Sequence, residues 1–215
     1  MPATRYHHAS DLPETIAVFP LGGALLLPRW QLPLNIFEPR YLNMVDDAMA
    51  GSRLIGMIQP VGGPKDKPVL AGVGCAGRIT TYSETDDGRY LLTLTGICRF
   101  RLMDELEVKT PYRQVEGDFS RFEADLGSAK TTGLPSRETL ERALRAYAKS
   151  NQIDADWDAV SNAPMETLIN ALSAGCPFDI MEKQALIEAA DLPTRCDTLI
   201  KLLTLNCEND DGPLQ

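Results

Sequence analysis

The groups able to do covalent, metal or phosphate chemistry in this 215-residue chain are few and poorly spaced for it. Its two histidines stand side by side, His7 and His8, so a Ser-His-Asp triad would have to draw its base from the first residues of the chain. A cysteine nucleophile would lack a placed imidazole in the same way. The five cysteines, Cys75, Cys98, Cys176, Cys196 and Cys207, contain no Cys-x-x-Cys pair of the kind that tetrahedral zinc sites use. An odd, scattered set reads instead as buried thiols rather than a disulfide framework. Adjacent acids, Asp46-Asp47 and Asp86-Asp87, project in different directions from a helix or a turn and read as solvated charge. Gly127-Ser-Ala-Lys130-Thr131-Thr-Gly133 lacks the Gly-Lys step of a phosphate-cradling loop, and Gly62-Gly63-Pro64-Lys65 puts a proline where a phosphate needs an amide. These residues imply no catalytic group, no metal and no cofactor.

Recognition chemistry is better represented. Trp30, Phe37 and Tyr41 stand close to Pro28, Pro33 and Pro39, and aromatic rings beside rigid turns suit a peptide groove. Glu38 and Arg40 bracket Pro39 at a predicted helix start, where Glu38 either complements the positive helix N-terminus or contacts a ligand. Trp30, Glu38, Arg40 and Tyr41 are therefore the candidate peptide-binding residues. Most of Phe19, Leu25, Leu27, Leu34, Ile36 and Phe37 are expected in a core, with Trp30, between Arg29 and Gln31, partly exposed. An edge strand that captures an extended peptide is the other route to the same function.

The elements that must position these residues fall into two textures. Short apolar runs separated by turn signals occupy the first half: Ile16–Phe19, Ala24–Leu27, Gln31–Phe37, Leu54–Gln59, Leu70–Thr81, Arg89–Leu102 and Tyr112–Phe119. Asp86-Asp87-Gly88 predicts a hairpin turn, and Gly72, Gly74 and Gly77 predict bulges or close backbone approach. One helix is predicted over Pro39–Ala50, with proline in its first turn and Gly51 just past its end. The polar stretch Ser128–Pro135 reads as a linker. Beyond it the apolar period is helical: Leu140, Ala143, Leu144, Tyr147 and Ala148 behind a Ser136 cap, then Met165 to Gly175, then a helix opened by the Asp179/Glu182 capping-box spacing, then Leu192 onward. Four short helices need partners, either one another or the β-rich part. The boundaries read as 13–122 for a β-rich domain and 135–207 for a helical subdomain, with the first dozen residues a mobile tail and Glu208 to Gln215 frayed.

Charge and hydropathy narrow the partners. Up to Phe122 there are 13 basic and 14 acidic residues (net −1), and from Glu123 there are 8 basic against 16 acidic (net −8). An acidic second half is poorly suited to phosphate backbones, so nucleic acid is disfavoured. No apolar run approaches the ~18 residues of a membrane span, and the N-terminus lacks a signal-peptide layout, which makes the cytoplasm the expected compartment.

The run from Ala17 through Pro20-Leu21-Gly22-Gly23, Pro28-Arg29-Trp30 and Phe37-Glu38-Pro39-Arg40-Tyr41 resembles the opening of the Lon-protease N-terminal (substrate-binding) domain. Lys183-Gln184-Ala185-Leu186-Ile187-Glu188, followed by a Leu-rich helix, is similar to a later segment of the same domain. Taken in order, the two cover nearly the whole chain, and the sequence most resembles stand-alone bacterial proteins of this family. The resemblance implies an α+β fold: a PUA-like β-barrel with an inserted helix, followed by a C-terminal helical bundle subdomain. It further implies a non-enzymatic peptide- or protein-binding module without ATPase or protease domains. Its expected partners are unfolded or extended polypeptides, with a separate protease or chaperone as a further candidate. RNA binding, known for other PUA-like barrels, is the alternative that fold analogy supplies. The serine–lysine dyad of Lon proteases does not carry over to any residue here. Nor does the zinc-bound module of the eukaryotic relative cereblon, whose paired cysteines are absent.

Overall fold

The computed structural model describes residues 6–64 and 66–208, so the expectations for residues 1–5 and 209–215 lie outside the described residues. Eight strands and six α-helices follow in order: β1 (Thr15–Pro20), β2 (Gln31–Ile36), α1 (Pro39–Ala50), β3 (Leu54–Ile58), β4 (Pro60–Gly62), β5 (Val69–Leu70), β6 (Val73–Glu84), β7 (Tyr90–Glu105), β8 (Arg113–Asp118), α2 (Arg137–Ser150), α3 (Trp157–Asn162), α4 (Met165–Gly175), α5 (Ile180–Glu188) and α6 (Leu192–Glu208). The fold is mixed α+β, in two compact units. One comprises the chain up to Ser128 together with Phe178–Ile187, and the other Ala129–Pro177 together with the chain from Glu188.

The first unit is built on a six-stranded sheet in the order β2-β7-β6-β3-β1-β8. Its pairs are antiparallel except β1 with β3. The 16-residue β7 is long enough to pair with β2 and β6 and then, from Arg101 to Glu105, with β8. Leu92, Leu94 and Cys98 bury one face of β7 in the period-2 manner, while Leu91 is turned out. The predicted hairpin turn closes β6 onto β7, with Gly88 at φ +78° donating its N–H to the Thr85 carbonyl.

The Ala24–Leu27 run is buried but forms no strand. It threads beneath β7, where a Cβ on Gly96 would overlap the Leu27 carbonyl oxygen. Glycine is required there by space. The predicted tail is also corrected in part: His7 and His8 donate their backbone N–H groups to the Asp11 carboxylate, and Leu12 is buried. Helix α1 runs over the predicted residues and buries Tyr41, Met44, Val45 and Ala48, one stripe of a 3.6-residue period. Its adjacent acids are not simply solvated. Tyr90 donates to Asp46 (3.0 Å) and Tyr112 to Asp47 (2.6 Å), and burial together with that bond pushes the Tyr112 phenol up to about 12.

Helix α5 begins with the predicted reciprocal capping box, Asp179 N–H to Glu182 and Glu182 N–H to Asp179, both 2.8 Å. It belongs to the sheet's unit through polar side chains: Lys183 Nζ donates to the Gly23 carbonyl (2.6 Å) and Gln184 Nε2 to the Val73 carbonyl (3.1 Å). The buried Arg99 of β7 completes the attachment. Its guanidinium forks onto Asp125 (2.7 and 2.9 Å), donates to the Ile187 carbonyl (2.9 Å) and stacks on Phe122. Asp125 lies in a 3-10 segment, Ser120–Leu126, after β8.

The second unit is helical. Ser136 caps α2 through the Thr139 N–H, as predicted, and Leu140, Leu144, Tyr147 and Ala148 are buried. Helix α6 contributes Cys196, Leu199 and Leu203, and its Arg195 donates to Asn170 of α4. Helix α3, absent from the sequence reading, is capped by Asp156, and its last turn is held by Arg137 donating to the Val160 and Ala163 carbonyls.

Removing one partner of a desolvated ion pair leaves the other charge stranded, at a cost of about 3–5 kcal/mol. Arg99→Ala is therefore expected to lower the unfolding free energy by that amount, read as a lower urea midpoint at an unchanged denaturant slope. Arg99→Lys should recover only part of it, since an ammonium cannot fork onto Asp125 and reach Ile187 together.

Candidate functional site

At the start of α1 the sheet's unit opens into a groove of about 380 Å³. Pro20, Pro60, Pro64 and Pro68 form rigid walls, with Tyr41 and Arg40 between them. Pro20 ends β1, and the other three belong to the β4–β5 hairpin, which turns through Gly62 and Gly63 at positive φ. A Cβ on Gly63 would stand 3.0 Å from the Val69 amide, so glycine there lets the hairpin close tightly.

Three of the four candidate residues come together here. Tyr41 is only 7% exposed, its ring lies 4.3 Å from that of Phe19, and burial raises its phenol pKa. The Arg40 guanidinium sits 4.6 Å above the Tyr41 ring. Glu38 occupies the N-cap position of α1, yet its carboxylate does not cap the helix. It accepts instead from Arg40 Nε (3.1 Å) and a terminal Arg40 nitrogen (2.8 Å), both on one oxygen. Trp30 does not line the groove. It stands half-buried in the turn before β2, where its carbonyl accepts from Gly96.

Phe37, expected in the core, is 63% exposed. Ile36 takes the inward position at the end of β2, and the strand's period turns the next side chain out. Other groove residues were missed. Arg113 of β8 forks onto Glu105 (2.7 and 2.5 Å) and donates to the Pro68 carbonyl (2.7 Å), so one side chain ties the hairpin to the sheet. Asp66 completes the lining. The spacing of Pro60, Pro64 and Pro68 was a legible sign of a rigid loop, but nothing local indicated what it faced.

A second, shallower concavity of about 490 Å³ lies over β2, β6 and β7, lined by uncharged residues including Pro33, Leu34, Tyr82 and Leu91. β2 is the edge of the sheet, and Pro33 offers no N–H to an added strand.

Among the described residues, neither concavity is lined by a histidine or a cysteine. The five cysteines are thiols, and burial pushes Cys98 up to about 12 and Cys196 up to about 11, opposite to what a nucleophile needs. Among the described residues no cluster of three or more His, Cys, Asp or Glu is arranged to hold a metal ion, and no helix is long and apolar enough to cross a membrane.

Residues 15–204 match the family model described as the ATP-dependent protease La (LON) substrate-binding domain. Among curated relatives, the Lon protease of Desulfosudis oleivorans is 26% identical over 205 residues, covering 92% of this chain and 24% of the relative. That of Flavobacterium johnsoniae is 26% identical over 211 residues, covering 93% and 26%. The chain thus spans about a quarter of the length of these relatives. The structure of a Lon N-terminal domain protein from Xanthomonas campestris superposes with a TM-score of 0.60 at 20% identity, covering 87% of this chain and 97% of that one. The N-terminal domain of Mycobacterium avium complex Lon protease gives 0.62 at 16%, covering 88% and 98%.

The Arg113–Glu105 pair makes the hairpin's attachment pH-sensitive. The hydrogen bond from Arg113 holds the Glu105 carboxyl below its ordinary value. Its stabilisation is therefore present above the unfolded carboxyl pKa of roughly 4.3 and is lost as pH falls through the folded value. Glu105→Gln is expected to be less stable than the parent at pH 7 and to converge with it only as pH falls through the lowered folded value of Glu105. Chemical denaturation across that range measures the difference.

Proposed function

Because the chain belongs to the family of the ATP-dependent protease La (LON) substrate-binding domain, we propose that it binds unfolded or extended polypeptides, without chemistry of its own, in the groove at the start of α1. The observation that carries this reading is the groove itself. Rigid proline walls flank a buried tyrosine and an arginine, with no histidine or cysteine among the described lining residues. Preformed walls lower the ordering cost that a flexible ligand imposes on binding. The binding residues are Glu38, Arg40 and Tyr41, joined by Arg113 and the hairpin prolines; Trp30 takes the supporting role of fixing the turn into β2.

The sheet is best read as a PUA-like barrel, an interpretation supported by β8 pairing with both β1 and β7. Residues 13–122, joined by Phe178–Ile187, would then carry recognition, and the rest of 135–207 the helical subdomain. A cytoplasmic setting and a separate protease or chaperone as recipient of the bound chain belong to the same reading. RNA gains little from the groove, where Arg113 is committed to Glu105 and Asp66 adds negative charge to the lining.

The test is fluorescence anisotropy with labelled β-casein, a chain that stays unfolded, against folded lysozyme. Saturable micromolar binding of casein alone is expected, unaffected by ATP. Pro64→Glu, which places a charged side chain on the groove wall, should weaken it about fivefold, or ~1 kcal/mol. Leu91→Asp, on the second concavity, should leave it unchanged. The reverse pattern would transfer the site to the β2 edge, and equal binding of lysozyme would end the reading.

A further inference from the structure

Tyr41 is almost wholly buried, yet its hydroxyl has no hydrogen-bond partner among the described residues and its side chain lines the groove. The hydroxyl is not among the fully buried side-chain atoms that lack a partner, so it keeps contact with water at the groove wall, where a ligand acceptor can take that water's place. Beside it the Arg40 guanidinium is only partly engaged. Glu38 meets it from two residues away and touches both donors with a single carboxylate oxygen, whereas a guanidinium is shaped to bind two oxygens in a parallel fork. Glu38 and Arg40 are 44% and 46% exposed, so their pair is held weakly and exchanges readily.

We propose that Arg40 and Tyr41 form a receptor for a carboxylate carried by the bound polypeptide, and that Glu38 is its intramolecular competitor. The incoming carboxylate takes a two-oxygen fork from Arg40 and a hydrogen bond from Tyr41, both of which Glu38 fails to provide. Stacking on Tyr41 keeps the guanidinium oriented while the carboxylates exchange. Arg113 contributes positive potential only, because its donors are committed to Glu105 and Pro68. Asp66, in the same lining, is a like charge that opposes the ligand. A chain terminus and an Asp or Glu side chain supply the same group.

This proposal rests on the polypeptide-binding reading, and its test separates the two. The probes are a fluorescein-labelled Gly-Ser-Ala decapeptide with a free C-terminal carboxylate, its C-terminal amide, and the amide with one internal Asp, with β-casein as the general ligand. The free acid should bind about tenfold tighter than the amide, the effect of one charge-assisted contact. The internal-Asp peptide matching the acid would identify side chains as a source, and its matching the amide would restrict the site to chain termini. Arg40→Gln and Tyr41→Phe should each shrink the acid-to-amide ratio towards one. Glu38→Gln and Asp66→Asn should raise acid affinity, by up to about fivefold for the loss of an exposed competitor. All four substitutions are conservative, and the ratio is unmoved by a general loss of fold. An acid-to-amide ratio of one in the parent protein, with casein still bound, overturns the carboxylate receptor and leaves the polypeptide reading standing. Failure of casein to bind overturns both.

Discussion

The sheet's unit depends on one desolvated guanidinium. Arg99 lies in the middle of β7, opposite Cys75 of β6, and its side chain is 3% exposed. Burying a charge there is costly unless every donor is met. The requirement recruits segments far apart in sequence: Asp125 from the turn after β8, and the Ile187 carbonyl from the end of α5, 88 residues away. Asp125 is met in turn by the Arg99 backbone N–H as well as its side chain. The net stabilisation over an apolar replacement of equal volume is small. What the pair supplies is an address, since this arrangement of β7, the 3-10 segment and α5 meets these donors together.

Fixing β7 fixes the site. This strand pairs with β2, β6 and β8, and its first residue, Tyr90, anchors α1 through Asp46. The packing behind it leaves little slack. Phe100, fully buried, occupies room left by Gly56, Gly74 and Gly117, and a Cβ on Gly74 would stand 2.7 Å from its ring and 2.6 Å from the Met57 carbonyl oxygen. With the body of α1 held by Tyr90 and Tyr112 and its start seated on Phe19, Arg40 and Tyr41 are presented in a fixed direction. Close packing transmits that rigidity to the groove without any residue of the groove having to supply it.

Local signals in the sequence were read well and long-range ones poorly. Helix α1, the Gly88 turn, the Ser136 cap and the Asp179/Glu182 box each rest on chemistry within four residues, and each appears at its expected place. The placement of α5 was not legible, because its attachment to the sheet uses Lys183 and Gln184, residues that a hydrophobic pattern assigns to solvent. The short α3 has too few turns to show a period. In the groove, Glu38, Arg40 and Tyr41 were visible as neighbours, but their other wall comes from Pro60, Pro64 and Pro68, and only tertiary structure brings it there. Phe37 misled for the same reason: adjacency in sequence does not say which way a side chain faces at a strand end.

Three of the arginine–carboxylate pairs in this unit form a series that separates framework from site. Arg99–Asp125 is sealed, with side-chain exposures of 3% and 10%, and water cannot replace either partner without leaving a charge unsolvated. Arg113–Glu105 is intermediate at 20% and 31%, and it holds the hairpin through Pro68. Arg40–Glu38 is open, and solvent compensates each charge as the pair parts. Burial thus grades the same chemical pair from permanent to exchangeable, and the groove holds one of the open pairs. A binding surface needs that last kind: a polar group oriented by the fold but not committed by it, so that a ligand competes with a weak internal partner rather than with the stability of the molecule.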